Sequence, residues 1–151
     1  MMANDVITLL SQANPDIPLF MYAHSMGAMI TLKLLLSRHQ SLKVSGVILT
    51  GPFLNLPSDR HFPKAKLYFA KKLGDDLEDL ILNGMINPTA LTKNNKYLHN
   101  IFEDRLMLPF LSAKMAKSLF EGVDFVQEHM DKFNYPVIVF HGKEDAICNY
   151  R

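Results

Sequence analysis

The chain has 151 residues, 48% of them hydrophobic, and its 16 Lys and Arg nearly cancel 15 Asp and Glu, leaving a formal charge of +1. That length and composition fit one globular domain with an ample core and exclude a disordered chain, while scattered, balanced charge gives nucleic-acid binding no support. A single cysteine, Cys148, excludes an internal disulfide framework, and no run of about 18 apolar residues is present that could span a membrane as a helix.

The start Met-Met-Ala-Asn-Asp has neither a basic nor an apolar leader segment, so a reducing, cytoplasmic setting is expected, with contact at a membrane surface left open. Asp5 to Gln12 reads as the end of a helix, and Asn14-Pro15-Asp16-Ile17-Pro18 is turn chemistry that leads into an apolar strand, Leu19 to Tyr22. The expectation is a chain that starts in mid-fold.

That strand runs into Ala23-His24-Ser25-Met26-Gly27, and a long apolar helical stretch from Ala28 to Leu36 follows at once. Strand, small-x-Ser-x-Gly and helix in this order read as a nucleophile elbow, in which a strained turn lifts the serine hydroxyl clear of the backbone. Ala23 and Gly27 are the small residues expected to relieve crowding there. Ser25 is then the nucleophile, and the N–H of Met26 at the helix start is an oxyanion-hole donor. An ordinary helix start, with Ser25 acting only as an N-cap, is the plainer alternative.

The helix from Ala28 to Ser37 is apolar nearly all round, which predicts cover on several sides. Val44 to Thr50 reads as a second strand closed by Gly51-Pro52, so strand, helix and strand imply a right-handed parallel crossover. From Phe53 to about Val123 the pattern shifts to short helical stretches, Lys64 to Leu73 and Asp75 to Leu82 among them, with turns near Pro57, Pro88 and Asn94-Asn95 and no convincing strand. A last helix carries Met115, Leu119, Val123, Val126 and Met130 at three- and four-residue spacing and continues to about Lys132. Pro136 to Gly142 is a third, apolar strand, followed by Lys143-Glu144-Asp145.

On its elbow the chain resembles the α/β-hydrolase superfamily, and within it the monoacylglycerol lipase, lysophospholipase and serine aminopeptidase-like group. That group's elbow reads Gly-His-Ser-Met-Gly-Gly where this chain has Ala-His-Ser-Met-Gly-Ala. The resemblance implies a partial α/β-hydrolase fold: a parallel sheet flanked by helices, with core segments at about 1–52 and 124–151 and a helical cap at about 53–123. It also implies a serine hydrolase of lipid esters that needs no cofactor and no metal, and no metal-ligand spacing is present either. In the superfamily the order is Ser, then Asp or Glu, then His, and His141-Gly142-Lys143-Glu144-Asp145 matches the acid loop, which makes Asp145 the triad acid. Glu144 falls one residue short of that position, and a plain turn aspartate remains the other reading of Asp145.

No histidine lies between Asp145 and Arg151, and His24, His39, His61, His99, His129 and His141 all come before the acid. The His-Gly-rich oxyanion loop of the family is likewise not found before Ser25. The expectation is therefore the middle of a hydrolase, whose three strands leave apolar edges open to self-association. Phe53, Leu54, Leu108 and Phe110, with Phe69, Leu106, Met107 and Leu111, fit an acyl-chain tunnel, and core packing explains them equally well. Cys148 stands where lipase-like members carry a cysteine, and it also reads as a small buried hydrophobe. Two functional readings stand: an ester hydrolase acting on an acyl lipid or small ester, with an aminopeptidase-like or general carboxylesterase variant, or a non-catalytic remnant that binds lipid or a homologue.

Overall fold

A computed structural model describes residues 3–38, 42–55, 79–83, 88–108 and 110–150. Among them lie the helices α1 (Ala3–Ala13), α2 (Met26–Arg38), α3 (Asn95–Glu103) and α4 (Ala113–His129). The strands are β1 (Phe20–His24), β2 (Gly46–Thr50), β3 (Ile81–Asn83), β4 (Phe110–Ser112) and β5 (Val137–Phe140). The chain divides into two compact units, residues 1–54 with 122–142 and residues 55–121 with 143–151.

In the first unit β1, β2 and β5 form a parallel sheet in the order β1-β2-β5, with Phe20 to His24 beside Gly46 to Thr50 and Val47 to Thr50 beside Val137 to Phe140. Each crossover steps in the same direction, and right-handed crossovers of that kind place their helices on one face of the sheet. Val47 and Leu49 are buried on β2, and Leu32 and Leu35 are among the most deeply buried side chains of α2. Each such leucine contributes about 1.5–3 kcal/mol through the apolar area it removes from water.

Helix α2 is less enclosed than its composition predicts. Ala28, Met29, Thr31, Leu32, Leu35 and Leu36 are buried, but Ile30 is 50% exposed and Lys33 stands in solvent. Packing on one side is enough to hold the helix, so its outer residues stay apolar without being covered by any described residue. On the packed side Gly122 of α4 meets Met29: a Cβ at 122 would lie 2.5 Å from Met29 Sδ. Gly122→Leu therefore forces Met29 out of its place and is expected to cost about 1–3 kcal/mol, read as a lower urea midpoint at unchanged slope.

Among the described residues no further strand pairs with the outer strands β1 and β5. Phe20 and Tyr22 on β1 and all four residues of β5 are exposed, Phe140 by 55%. This matches the unpaired apolar edges expected from three strands.

In the second unit β3 and β4 pair antiparallel, Ile81 with Ser112, Leu82 with Leu111 and Asn83 with Phe110. The Ala113 N–H donates to the Leu80 carbonyl at 2.8 Å and carries this ribbon into α4. The ribbon corrects the expectation of no strand between 53 and 123. Three-residue strands are too short to show a period of two, and the partners lie about thirty residues apart, so the pairing is invisible locally. The expected helix at 75–82 is corrected at its end, where Ile81 and Leu82 belong to β3; positions 64–73 and 75–78 lie outside the described residues. Helix α3 follows the turn read at Asn94-Asn95 and is capped at both ends: Asn94 Oδ1 accepts the Lys96 N–H at 3.0 Å, and the Asp104 N–H donates back to the Asn100 carbonyl at 3.1 Å.

Candidate active site

Ser25 occupies the turn between β1 and α2 with φ of +52°, a backbone region that L-residues avoid. Among the described residues it is the non-glycine residue found there. Such a conformation costs about 1–3 kcal/mol and persists only where the surroundings hold it. Here the main chain is held from both sides. The Ser25 N–H donates to the Thr50 carbonyl at 3.0 Å, and the Ser25 carbonyl accepts from the Ala28 N–H at 3.0 Å and from the Phe53 N–H at 3.1 Å. The segment that supplies those partners is itself anchored, since Gly51, with φ of +49°, donates its N–H to the Phe140 carbonyl at 2.8 Å.

The carboxyl ends of β1 and β2 thus meet at the serine, with β5 tied to β2 through Gly51, and this end of the sheet is where open α/β sheets place their ligands. Met26 opens α2, and the first N–H groups of a helix have no partner within it, so they are suited to a developing negative oxygen. Ala23 is buried as expected of a small residue under the turn. Gly27 behaves differently, because a Cβ there would meet nothing within 4 Å. The glycine leaves open room beside the serine and relieves no crowding among the described residues, which corrects the expectation from sequence. Phe53 and Leu54 are half-buried on the same strand end, and Gln127 Nε2 donates to the Leu54 carbonyl at 2.7 Å.

A cleft of about 690 Å³ also opens in this unit, lined by Asn14, Asp16, Lys43, Ser45 and Tyr135 among others. Those residues precede the strands, so the cleft lies at their amino ends, at the opposite pole of the sheet from Ser25. Its size does not outweigh its position.

Asp145 belongs to the second unit. Its Oδ1 accepts the N–H groups of Ile147 at 2.8 Å and Cys148 at 2.9 Å, which fixes the carboxylate in a tight turn. The neighbouring Glu144 is instead paired on the surface with Lys93. Cys148 is buried at 2% exposure, in keeping with a packing role. Leu108 and Phe110 are also in this unit and are exposed, while Phe69 lies outside the described residues.

Three of the four described histidines have a ring nitrogen beside another partner. His129 Nδ1 lies 2.9 Å from the Phe125 carbonyl, and its ring stacks on Phe125 at 4.3 Å. His141 Nδ1 lies 3.1 Å from the Gly142 carbonyl, and His99 sits on the exposed α3. His39 and His61 are outside the described residues. His24 Nδ1 lies 2.9 Å from Thr50 Oγ1, and Tyr22 Oη lies 3.1 Å from the same oxygen. Sequence reading found Thr50 only as the end of a strand, and a polar β-branched residue just before Gly-Pro was the available signal.

Known proteins share the family and the fold of this chain. The family described as serine aminopeptidase, S33 (Hydrolase_4) matches residues 2–151. Mouse monoglyceride lipase is 26% identical over 136 residues, which is 89% of this chain and 44% of the mouse protein. Among solved structures, Paleococcus ferrophilus monoacylglycerol lipase superposes with a TM-score of 0.76 at 24% identity, covering 93% of this chain and 52% of that one. A soluble variant of Saccharomyces cerevisiae monoglyceride lipase, in complex with a substrate analogue, gives 0.77 at 22% identity, with 97% and 52% covered. The structural matches establish the α/β-hydrolase fold, and the chain spans about half the length of these relatives.

Proposed function

Because the chain belongs to the serine aminopeptidase S33 family of α/β hydrolases, we propose that it carries the nucleophile and acid of a serine ester hydrolase acting on acyl lipids of the monoacylglycerol type. The observation that carries this reading is Ser25 at φ of +52° between a parallel strand and the helix that follows it. In this reading Ser25 Oγ attacks the acyl carbonyl and the Met26 N–H stabilises the oxyanion. A histidine takes the serine proton and returns it to the departing alcohol, and Asp145 orients that histidine. Water then releases the fatty acid from the serine and regenerates the hydroxyl.

We place Phe53 and Leu54 against the acyl chain because the Phe53 N–H bonds directly to the nucleophile's carbonyl. Leu108 and Phe110, within the segment 53–123 read as a cap, are assigned to acyl-chain binding as apolar residues of that segment. Relatives named monoglyceride lipase favour a glycerol ester over an aminoacyl amide. Comparing turnover of a monoacylglycerol with that of an aminoacyl amide separates the two.

The second reading, a non-catalytic chain that binds lipid or pairs through its outer strands, draws on the exposed apolar residues of β1 and β5. Fluorophosphonate labelling of a source-cell lysate, with the Ser25 peptide and the intact protein size both recorded, decides between them. Label on Ser25 supports the hydrolase. Its absence beside labelled control hydrolases supports the non-catalytic chain. The size of the labelled protein tells whether the base lies within these 151 residues or in further chain.

The same reading brings the protein to a lipid surface. No helix among the described residues is long and apolar enough to cross a membrane. In the second unit, however, Leu106 is 89% exposed and Phe102 and Tyr97 are each at least 60% exposed. Apolar side chains so open to solvent suit insertion at the headgroup boundary. Changing Phe102 and Leu106 together to Asp is expected to lower partitioning of the full chain onto phosphatidylcholine vesicles at least about tenfold, since each such side chain contributes about 1.5–3 kcal/mol when buried. Unchanged sedimentation with the vesicles would remove this surface from the reading.

A further inference from the structure

Three consecutive features of β1 end on one residue of β2. The Ser25 N–H donates to the Thr50 carbonyl, while His24 Nδ1 and Tyr22 Oη converge on Thr50 Oγ1 at 2.9 and 3.1 Å. A threonine hydroxyl has one proton and two lone pairs, so it can serve both neighbours whichever tautomer His24 holds. With Nδ1 as acceptor, Thr50 donates to His24 and accepts from Tyr22. With Nδ1 protonated, Thr50 accepts from His24 and turns its own proton elsewhere.

The position of this hub matters more than its strength. The pair His24 and Thr50 is the last rung of the β1–β2 ladder, where opening is cheapest, and the strained residue comes next. The peptide between His24 and Ser25 is the plane about which Ser25 rotates to its positive φ. A tether on His24 fixes that plane from the side chain, independently of the bond that the Ser25 N–H makes.

We propose that Thr50 is a positioning residue for Ser25: its hydroxyl holds His24, and through it the elbow, in the conformation that presents the nucleophile. The inference rests on Ser25 being the nucleophile. Thr50 itself touches no reacting atom, so its loss should slow turnover while leaving substrate affinity in place.

The test measures hydrolysis of p-nitrophenyl butyrate by the full chain, together with amide hydrogen exchange in the peptide containing His24 to Met26. Thr50→Val, which keeps the shape and removes the hydroxyl, is expected to lower kcat about tenfold with KM within about twofold, and to speed exchange at Ser25 by a similar factor. Thr50→Ser restores the hydroxyl and should return both values to within about twofold of the parent. His24→Ala removes the partner from the exposed side and should reproduce the loss seen in Thr50→Val, which keeps the question answerable if valine at 50 prevents folding. Equal kcat and equal exchange in Thr50→Val and the parent would overturn the proposal, as would equal losses in the Val and Ser variants. If Ser25→Ala retains hydrolysis, the nucleophile assignment fails. Exchange at Ser25 then judges the tether alone: faster exchange in the Val variant and not in the Ser variant supports it, and unchanged exchange overturns it.

Discussion

Ser25→Ala in the full chain is expected to lower kcat for hydrolysis of a monoacylglycerol by about a millionfold, with KM close to the parent value and no fluorophosphonate label at that peptide. The size of the effect follows from the chemistry, since alanine leaves no oxygen to form the acyl intermediate. Substrate binding depends on residues that the change does not touch. Stability separates this outcome from simple misfolding. The cost of φ at +52° comes from Cβ crowding, and alanine carries the same Cβ. The bonds that hold the turn are main-chain bonds from Thr50, Ala28 and Phe53, which alanine also keeps. The variant should therefore unfold within about 0.5 kcal/mol of the parent. Retained turnover would show that another group attacks the ester, and Ser25 would then be no more than the cap of α2.

The parts of the fold that could be read from sequence are those fixed by local signals. The apolar run before Ser25, the helix after it and the β-branched run closed by Gly51-Pro52 became β1, α2 and β2, each within a few residues of its expected limits. The three- and four-residue spacing of Leu119, Val123 and Val126 likewise marked α4. Non-local features were missed. The β3–β4 ribbon depends on partners brought together from distant positions, and nothing in Ile81-Leu82-Asn83 alone distinguishes it from a helical turn. Ile30 reads as core by residue type, yet only packing decides which side of a helix is covered.

The same division applies to the site. The strained turn at Ser25 was legible because it sits between a recognisable strand and a recognisable helix. The bonds that hold it were not, because Thr50, Gly51 and Phe53 enter through sheet register, and register cannot be read from one strand. Asp145 is singled out in sequence by its place after β5. That its carboxylate is held by the two N–H groups following it, while Glu144 is taken up by Lys93, emerges only with the loop folded.

That difference between adjacent carboxylates yields the second large effect. Asp145→Asn keeps an oxygen able to accept from Ile147 and Cys148, so the loop geometry should survive. What it loses is the negative charge that, in the proposed reading, sets the histidine tautomer and stabilises the imidazolium formed as Ser25 attacks. In a serine triad that loss costs about 10⁴-fold in kcat. Asp145→Ala removes the turn bonds as well, so it should show a comparable kinetic loss with a further fall in stability of about 1–2 kcal/mol. Glu144→Gln gives up only an exposed ion pair with Lys93, worth at most about 1 kcal/mol, and is expected to leave kcat within about twofold of the parent. Steady-state kinetics on the three full-chain variants, with urea unfolding of each, distinguish the roles. A silent Asp145→Asn beside an inactive Glu144→Gln would move the acid one residue back. Loss in neither would mean that the acid loop serves the fold alone, and that any histidine paired with Ser25 takes its orientation from another carboxylate.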